Sequence, residues 1–222
     1  MISIAIDGPA GAGKSTLSRT VAKKLGFIYV DTGALYRAVG FKFSLLGFDR
    51  ELECDIADVL SKTKADIRFV DGEQRVFLDD RDVSDKIRTA EASMMASAVS
   101  AKPEVRQYLL EKQRELARNN NVVMDGRDIG TVVLPNATVK IYLTASAEDR
   151  ARRRYDEMIA KGMETDFESV YKDMLQRDYN DMHRDIAPLK QAEDAVLADT
   201  TGFEFQQSLE LLLDIIEKGI KD

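Results

Sequence analysis

Between residues 8 and 15 the chain reads Gly8-Pro9-Ala10-Gly11-Ala12-Gly13-Lys14-Ser15, an unbroken match to the pattern G-x-x-x-x-G-K-[ST]. Its flanks constrain the fold as much as its letters do. The β-branched run ISIAI, closed by Asp7-Gly8, reads as a buried strand. LSRTVAKKLG then sets Leu17, Val21 and Leu25 at helical spacing before a stop at Gly26. Strand, glycine-rich turn and helix are the context in which such a loop turns its backbone N–H groups around phosphate oxygens.

The same alternation continues along the chain. FIYVD reads as a second strand, ALYRAVGFKFSLLG as a helix, and residues 51 to about 64 as another helix. ADIRFVDGEQRVFLDDRDVSD changes character: short apolar or alternating runs punctuated by Asp71-Gly72 predict a hairpin, in a β-rich insertion of about 65 to 90. TAEASMMASAVSA and PEVRQYLLEKQRELARN predict two helices, the second opened by Pro103. VVMD and TVKIYLTA are strands, 147–160 and 167–183 helices, DAVLADT a last strand and FEFQQSLELLLDIIEKGI a terminal amphipathic helix. Strands alternating with helices predict an α/β fold, a parallel sheet covered on both faces. No repeat or linker divides the 222 residues, so one domain is expected.

A net charge of −7 opposes a general nucleic-acid surface, which needs a basic face. The lone Cys54 has no internal disulfide partner and no activating His near it in sequence, which fits a cytoplasmic chain and not a thiol catalyst. No apolar run of about 18 residues exists and the stretch MISIAIDG lacks a basic n-region, so no membrane span or signal peptide is expected.

The chemistry of the loop assigns Lys14 to the β/γ-phosphates of a nucleoside triphosphate and the Ser15 hydroxyl to Mg²⁺. That identifies a donor, not what happens to it. In DTGALYR, Asp31 or Thr32 is explained equally by helix capping, with Tyr36 and Arg37 one turn in. VVMDGRDIGTVVLP sets Arg127 between Asp125 and Asp128 just past a strand. RDYNDMHR places Arg177, Asp181 and Arg184 at spacings that share one helical face.

IDGPAGAGKST, DTGALYR, IRTAE, MDGRDIGTVVLPNA, RDYNDMHRDIAPL and ADTTG, in this order along nearly the whole chain, resemble the bacterial cytidylate kinase family of the nucleoside monophosphate kinase group. GRDIGTVV and the R-D-x-x-D-x-x-R spacing are far narrower signals than the phosphate loop. The resemblance implies a P-loop NTPase core with a small NMP-binding insertion at about 65–90 and a helical lid at about 150–165. It implies transfer of the γ-phosphate of ATP to CMP or dCMP, with Mg²⁺. Gly8, Pro9, Ala10, Gly11, Ala12, Gly13, Lys14, Ser15 and Thr16 would hold the donor, and Ser15 and Asp125 the metal. Thr32, Tyr36, Arg37, Ser97, Arg106, Arg127, Asp128, Arg177, Asp181 and Arg184 would hold the acceptor.

Within that set the resemblance gives Asp128 to the cytosine amino group with Ser97 and Arg106 assisting, and Arg177 and Asp181 to the ribose hydroxyls. Arg37, Arg127 and Arg184 go to phosphate, and the lid arginines Arg150 and Arg154 to developing charge. A carboxylate facing N4 is what cytosine reading requires, since uracil would set its O4 acceptor against the charge. ADTTG is placed like the loop near the donor base, and a capped turn explains it equally well. Arg75, Arg81 and Arg88 either touch ligand or solvate the small sheet. The sole His183 is expected to be exposed on its helix.

Two other readings keep the phosphate loop. A kinase for another small acceptor would not need Ser97, Arg106 and Asp128 together. A guanine-reading switch should carry N/T-K-x-D, which is absent. The expected partners are therefore ATP, CMP and dCMP, with no nucleic acid and no membrane, for a monomeric chain.

Overall fold

The computed structural model describes residues 1–70 and 73–221. The chain forms two compact units, Met1–Tyr29 with Asn121–Asp222, and Val30–Asn120.

The first unit is built on β1 (Ser3–Asp7), β6 (Val122–Gly126), β7 (Val139–Thr144) and β8 (Val196–Asp199). They belong to a five-stranded sheet of order β2-β6-β1-β7-β8, in which β2 is Ile28–Asp31 and Ile28 N–H donates to the Asn121 carbonyl at 2.9 Å. β1 is parallel to β6 on one side and to β7 on the other, and β7 is parallel to β8. Helices α1 (Lys14–Leu25), α6 (Ala147–Ala160), α7 (Phe167–His183) and α8 (Phe205–Lys221) complete it. Leu17 and Val21 of α1, one helical turn apart, meet Ile4, Ile6, Val123, Ile141 and Leu143 of the strands in one apolar core. Leu209, Leu212, Ile215 and Ile216 of α8 close it.

In the second unit α2 (Thr32–Leu45), α4 (Ala90–Ser100) and α5 (Pro103–Asn119) accompany an antiparallel sheet of β3 (Ala65–Val70), β4 (Glu73–Leu78) and β5 (Arg81–Asp82). Its core joins Ala34 and Ala38 of α2, Val76 and Leu78 of β4, and Ala92 of α4. The turn expected at Asp71-Gly72 lies outside the described residues. Among the described residues a hairpin turn lies at Asp79-Asp80, where φ is 48° and 63° between the paired Leu78 and Arg81. Two positive φ values match the twist of a two-residue hairpin, and aspartate tolerates them better than most residues.

Two expectations change. The helix expected from 51 to 64 is only α3 (Ile56–Ser61). Leu52 turns the chain with φ 55°, and the Asp55 side chain accepts the Asp58 N–H at 3.0 Å, so the helix starts there. Arg184 is not on the helical face of Arg177 and Asp181. It follows the last residue of α7 in extended conformation (φ −66°, ψ 143°), its Nε donating to the Ala187 carbonyl at 2.7 Å.

At the end of β1 the chain must pass close to β7. Gly8 has φ 151°, and a Cβ built there would sit 1.9 Å from the Leu143 carbonyl oxygen, a backbone atom with no freedom to withdraw. Gly8→Ala is therefore expected to cost more than about 3 kcal/mol in urea unfolding. Gly162→Ala, strained in φ (72°) but with open space around it, is expected to lose only about 1–2 kcal/mol.

Candidate active site

Residues Gly8 to Ser15 lead from β1 into α1. Gly13, at φ 85°, is the N-cap of α1 and contributes no side-chain cap, and the N-terminus of a helix is the end whose N–H groups suit a phosphate. Lys14 is 6% exposed and its Nζ donates to the Pro9 carbonyl at 2.7 Å, folding the ammonium back over the loop. Burial, then the neighbouring charge of Arg127, pushes its pKa well below the ordinary lysine value, against the opposing pull of Asp125, Asp181 and Asp7. Ser15 and Thr16 are exposed at the start of the helix.

The register of β1 against β6 sets Asp125 beside Ile6 and Gly126 beside Asp7, so the acid that ends the apolar run arrives next to the loop. Its carboxylate, 4% exposed, accepts from Ser15 Oγ at 2.9 Å on one oxygen and from the Tyr29 hydroxyl at 2.9 Å on the other. A hydroxyl and a single carboxylate suit Mg²⁺, which keeps several waters and takes substrate phosphates. No group of three or more His, Cys, Asp or Glu side chains able to hold a metal occurs among the described residues.

Around the loop, buried charges are matched. Arg127 Nε donates to Asp181 at 2.7 Å. Burial opposes ionisation of Asp181, yet Arg127, with Arg177 and Arg184 behind it, holds the carboxyl below its ordinary value. Arg184 Nη2 lies 3.6 Å from Asp128, and both side chains are at most 10% exposed. Arg150 is 5% exposed: it pairs with Asp178 at 2.7 Å and donates to the Ala145 and Ala10 carbonyls, each at 2.9 Å. One turn on, Arg154 is at the surface, paired with Glu157 at 2.9 Å, and Arg177 is exposed on α7.

Asp128 is the N-cap of a π-helical turn, Ile129–Val133, but its side chain makes no cap. Asp7 does that work. Its two oxygens accept the N–H groups of Ile129 at 2.8 Å and Gly130 at 2.7 Å. Burial raises the Asp7 pKa from 3.8 to about 6; the two backbone donors lower it, Asp128 adds repulsion, and Lys14 pulls the other way.

In the second unit Asp31 accepts from the Ala34 N–H at 3.0 Å and from Arg37 Nη2 at 2.7 Å, so it caps α2 and holds Arg37 at once. Thr32 is buried. The Arg106 guanidinium lies 5.7 Å from the centre of the Tyr36 ring and donates to the Ser100 carbonyl at 3.2 Å. Ser97, half-buried, accepts the Ser100 hydroxyl on its carbonyl.

Arg75 pairs with Asp82 within the small sheet, and Arg81 and Arg88 are exposed. The turn at 199–202 is capped by Asp199, which accepts the Thr201 N–H at 2.9 Å, and is tied down by Arg153 on the Thr200 carbonyl. His183 is exposed, stacked on Tyr179. Asp7, Tyr29 and Asp178 were missed: a strand-end acid, a strand tyrosine and one acid in a charged helix carry no local signal.

Arg150→Ala would leave Asp178 buried beside a lost cation and is expected to destabilise by about 3–5 kcal/mol. The double variant Arg150→Met, Asp178→Leu should recover most of that in the same denaturation experiment. For Asp7 the folded state holds the proton more tightly than the unfolded chain. Its stabilising contribution is complete below pH 3.8 and lost as pH rises through about 6. The stability of the wild type relative to Asp7→Asn should therefore fall across that window and level off above it.

The family described as Cytidylate kinase matches residues 4–218. The chain is 54% identical over 215 residues to a cytidylate kinase of Carboxydothermus hydrogenoformans, covering 96% of each chain. It is 49% identical over 219 residues to one of Streptococcus pneumoniae, covering 98% of each. Among solved structures, an uncharacterized protein from Eubacterium ventriosum is similar in fold at TM-score 0.55 and 11% identity, covering 98% of each chain. Shikimate kinase from Bacteroides thetaiotaomicron is similar at TM-score 0.50 and 14% identity, covering 97% of this chain and 98% of that one.

Proposed function

The chain belongs to the cytidylate kinase family, and from that premise we propose that it transfers the γ-phosphate of ATP to CMP or dCMP, giving CDP or dCDP and ADP. The observation that carries this reading is the full-length match at about half identity, 54% over 96% of each chain in one case.

Two anionic nucleotides repel each other, so the protein's task is to gather cations, align the attacking phosphate oxygen with the γ-phosphorus and keep water out. Gly8 to Thr16 cradle the donor, and Lys14 supplies its charge to the β/γ-phosphates. Ser15 and Asp125 would hold Mg²⁺, which when bound neutralises donor phosphate charge. The Tyr29 hydroxyl fixes the rotation of the Asp125 carboxylate. Arg127 and Arg184 in the first unit and Arg37 in the second are assigned to the acceptor's phosphate. Asp181 and Asp31 hold Arg127 and Arg37 in place through their 2.7 Å ion pairs. No side chain need remove a proton, because the attacking phosphate is already largely ionised near neutral pH.

Of the lid arginines, Arg154 at the surface is the one we assign to the polyphosphate. Arg150 works from beneath, holding the Ala10 carbonyl of the loop. Residues of about 65–90 serve as the NMP-binding insertion and about 150–165 as the lid, and closure of these elements would expel water before transfer.

Asp128, 5% exposed, reads the cytosine amino group, with Ser97 and Arg106 on the ring and Arg177 and Asp181 at the ribose. Against uracil the same carboxylate would face a lone pair in a dry site, a mismatch of about 1–3 kcal/mol. We place the reaction in the cytoplasm of the cell, carried out by a single chain. Its partners are nucleotides, not nucleic acid or a membrane; no helix among the described residues is long and apolar enough to cross one.

The test is ADP formation from ATP and Mg²⁺ with CMP, dCMP, UMP or AMP as acceptor. CMP and dCMP should be phosphorylated well and UMP poorly, and Asp128→Ala should shrink the CMP-over-UMP ratio of kcat/KM about 10- to 100-fold. AMP as the best acceptor would overturn the cytidine assignment.

A further inference from the structure

An aspartate that opens a helical turn ordinarily spends its carboxylate on that turn, accepting the N–H groups one to three residues ahead. Asp128 opens the π-helical turn Ile129–Val133 and does not do so. The N–H groups of Ile129 and Gly130 are taken by both oxygens of Asp7, 122 and 123 residues away in sequence, at 2.8 and 2.7 Å. The approach is close: a Cβ on Gly130 would lie 3.4 Å from Asp7 Oδ2 and 3.2 Å from Lys140 Cδ. Asp7 is also the last residue before Gly8, so the same strand end starts the phosphate loop.

We infer that Asp7 is a positioning residue for Asp128: by capping the turn that Asp128 opens, it sets where the Asp128 carboxylate stands. Both Asp7 oxygens must accept for this to work. An asparagine offers one acceptor and an NH₂ group that would face a backbone N–H, donor against donor. A proton on Asp7 has the same effect, since it converts one acceptor oxygen into a hydroxyl. The charged or titratable groups facing Asp7 are Asp128 beyond β6, Lys14 on α1 and Tyr142 on β7, with Lys140 bordering Gly130.

The inference rests on the reading that Asp128 recognises cytosine, so Asp7→Asn and Asp128→Asn are measured side by side, with kcat and KM for CMP, UMP and ATP. In Asp7→Asn the KM for CMP should rise about tenfold and the CMP:UMP ratio of kcat/KM fall about tenfold, while the KM for ATP stays within about threefold. Lowering the pH through about 6 should reduce that ratio in the wild type and leave it flat in Asp7→Asn. The ratio is the right quantity because the titration of the two acceptors' own phosphates cancels in it.

If Asp128→Asn abolishes the preference and Asp7→Asn leaves it intact, the positioning role is overturned and the base reading stands. An unchanged preference in Asp128→Asn overturns the base reading itself. A rise in the KM for ATP equal to that for CMP would show Asp7 acting through the phosphate loop, against the inference. Should Asp7→Asn fail to fold, a wild-type CMP:UMP ratio constant through pH 6 would overturn it.

Discussion

The parallel pairing of β1 with β6 on one side and β7 on the other is the constraint from which the site in the first unit follows. It places Asp7 opposite Gly126 and Tyr142, and Ile6 opposite Asp125, so the carboxyl ends of three strands finish at one level. In a parallel sheet every strand delivers its outgoing loop to the same edge, and the crevice there is where such folds bind ligand. The phosphate loop leaves β1 there, and β6 supplies both the acid that meets Ser15 and, just beyond its end, the turn carrying Asp128. Gly8 makes the arrangement sterically possible, because the loop leaves β1 against the Leu143 carbonyl.

The charges brought to that edge are mostly shielded from water, and each described pair has a partner within reach. Arg127 with Asp181 and Arg150 with Asp178 both stand at 2.7 Å, and Arg184 faces Asp128 at 3.6 Å. Buried pairs of this kind add little net stability, since desolvation offsets most of their attraction. What they supply is geometry: a guanidinium held by a carboxylate keeps its position and orientation. Asp7 belongs to the same economy of position, an acid kept near its protonation threshold by burial while two backbone donors hold its ionised form in use.

Much of this was legible in the residues. The limits of α6 and α7 coincide with the sequence pattern because both begin at side-chain caps, Ser146 accepting from Asp149 N–H and Asp166 from Ser169 N–H. The phosphate loop and its flanking strand and helix were equally plain. Where the pattern misled, a local competitor prevailed. Leu52 and Asp55 cut short the helix expected from residue 51, and the chain beyond His183 left the helical path, so Arg184 reaches Asp128 from a loop. Arg150 and Arg154 divide into a buried tie and a surface cation because Arg150, in the first turn of α6, reaches the Ala10 carbonyl and Asp178, whereas Arg154, one turn further along, meets only Glu157 at the surface among the ion pairs described.

The sequence by itself determined the elements whose physics acts between near neighbours: helical faces three and four residues apart, capped helix starts, and a glycine-rich loop ending in lysine and serine. It could not determine which of its 32 basic side chains would meet which of its 39 acidic ones. Those pairings were decided by strand register and crossover in the tertiary structure, which bring Asp7 to the N–H groups of residues 129 and 130 across more than half the chain. Coulomb attraction has no preference for sequence distance, and only the packed sheet, by excluding water and fixing direction, selects one partner among many.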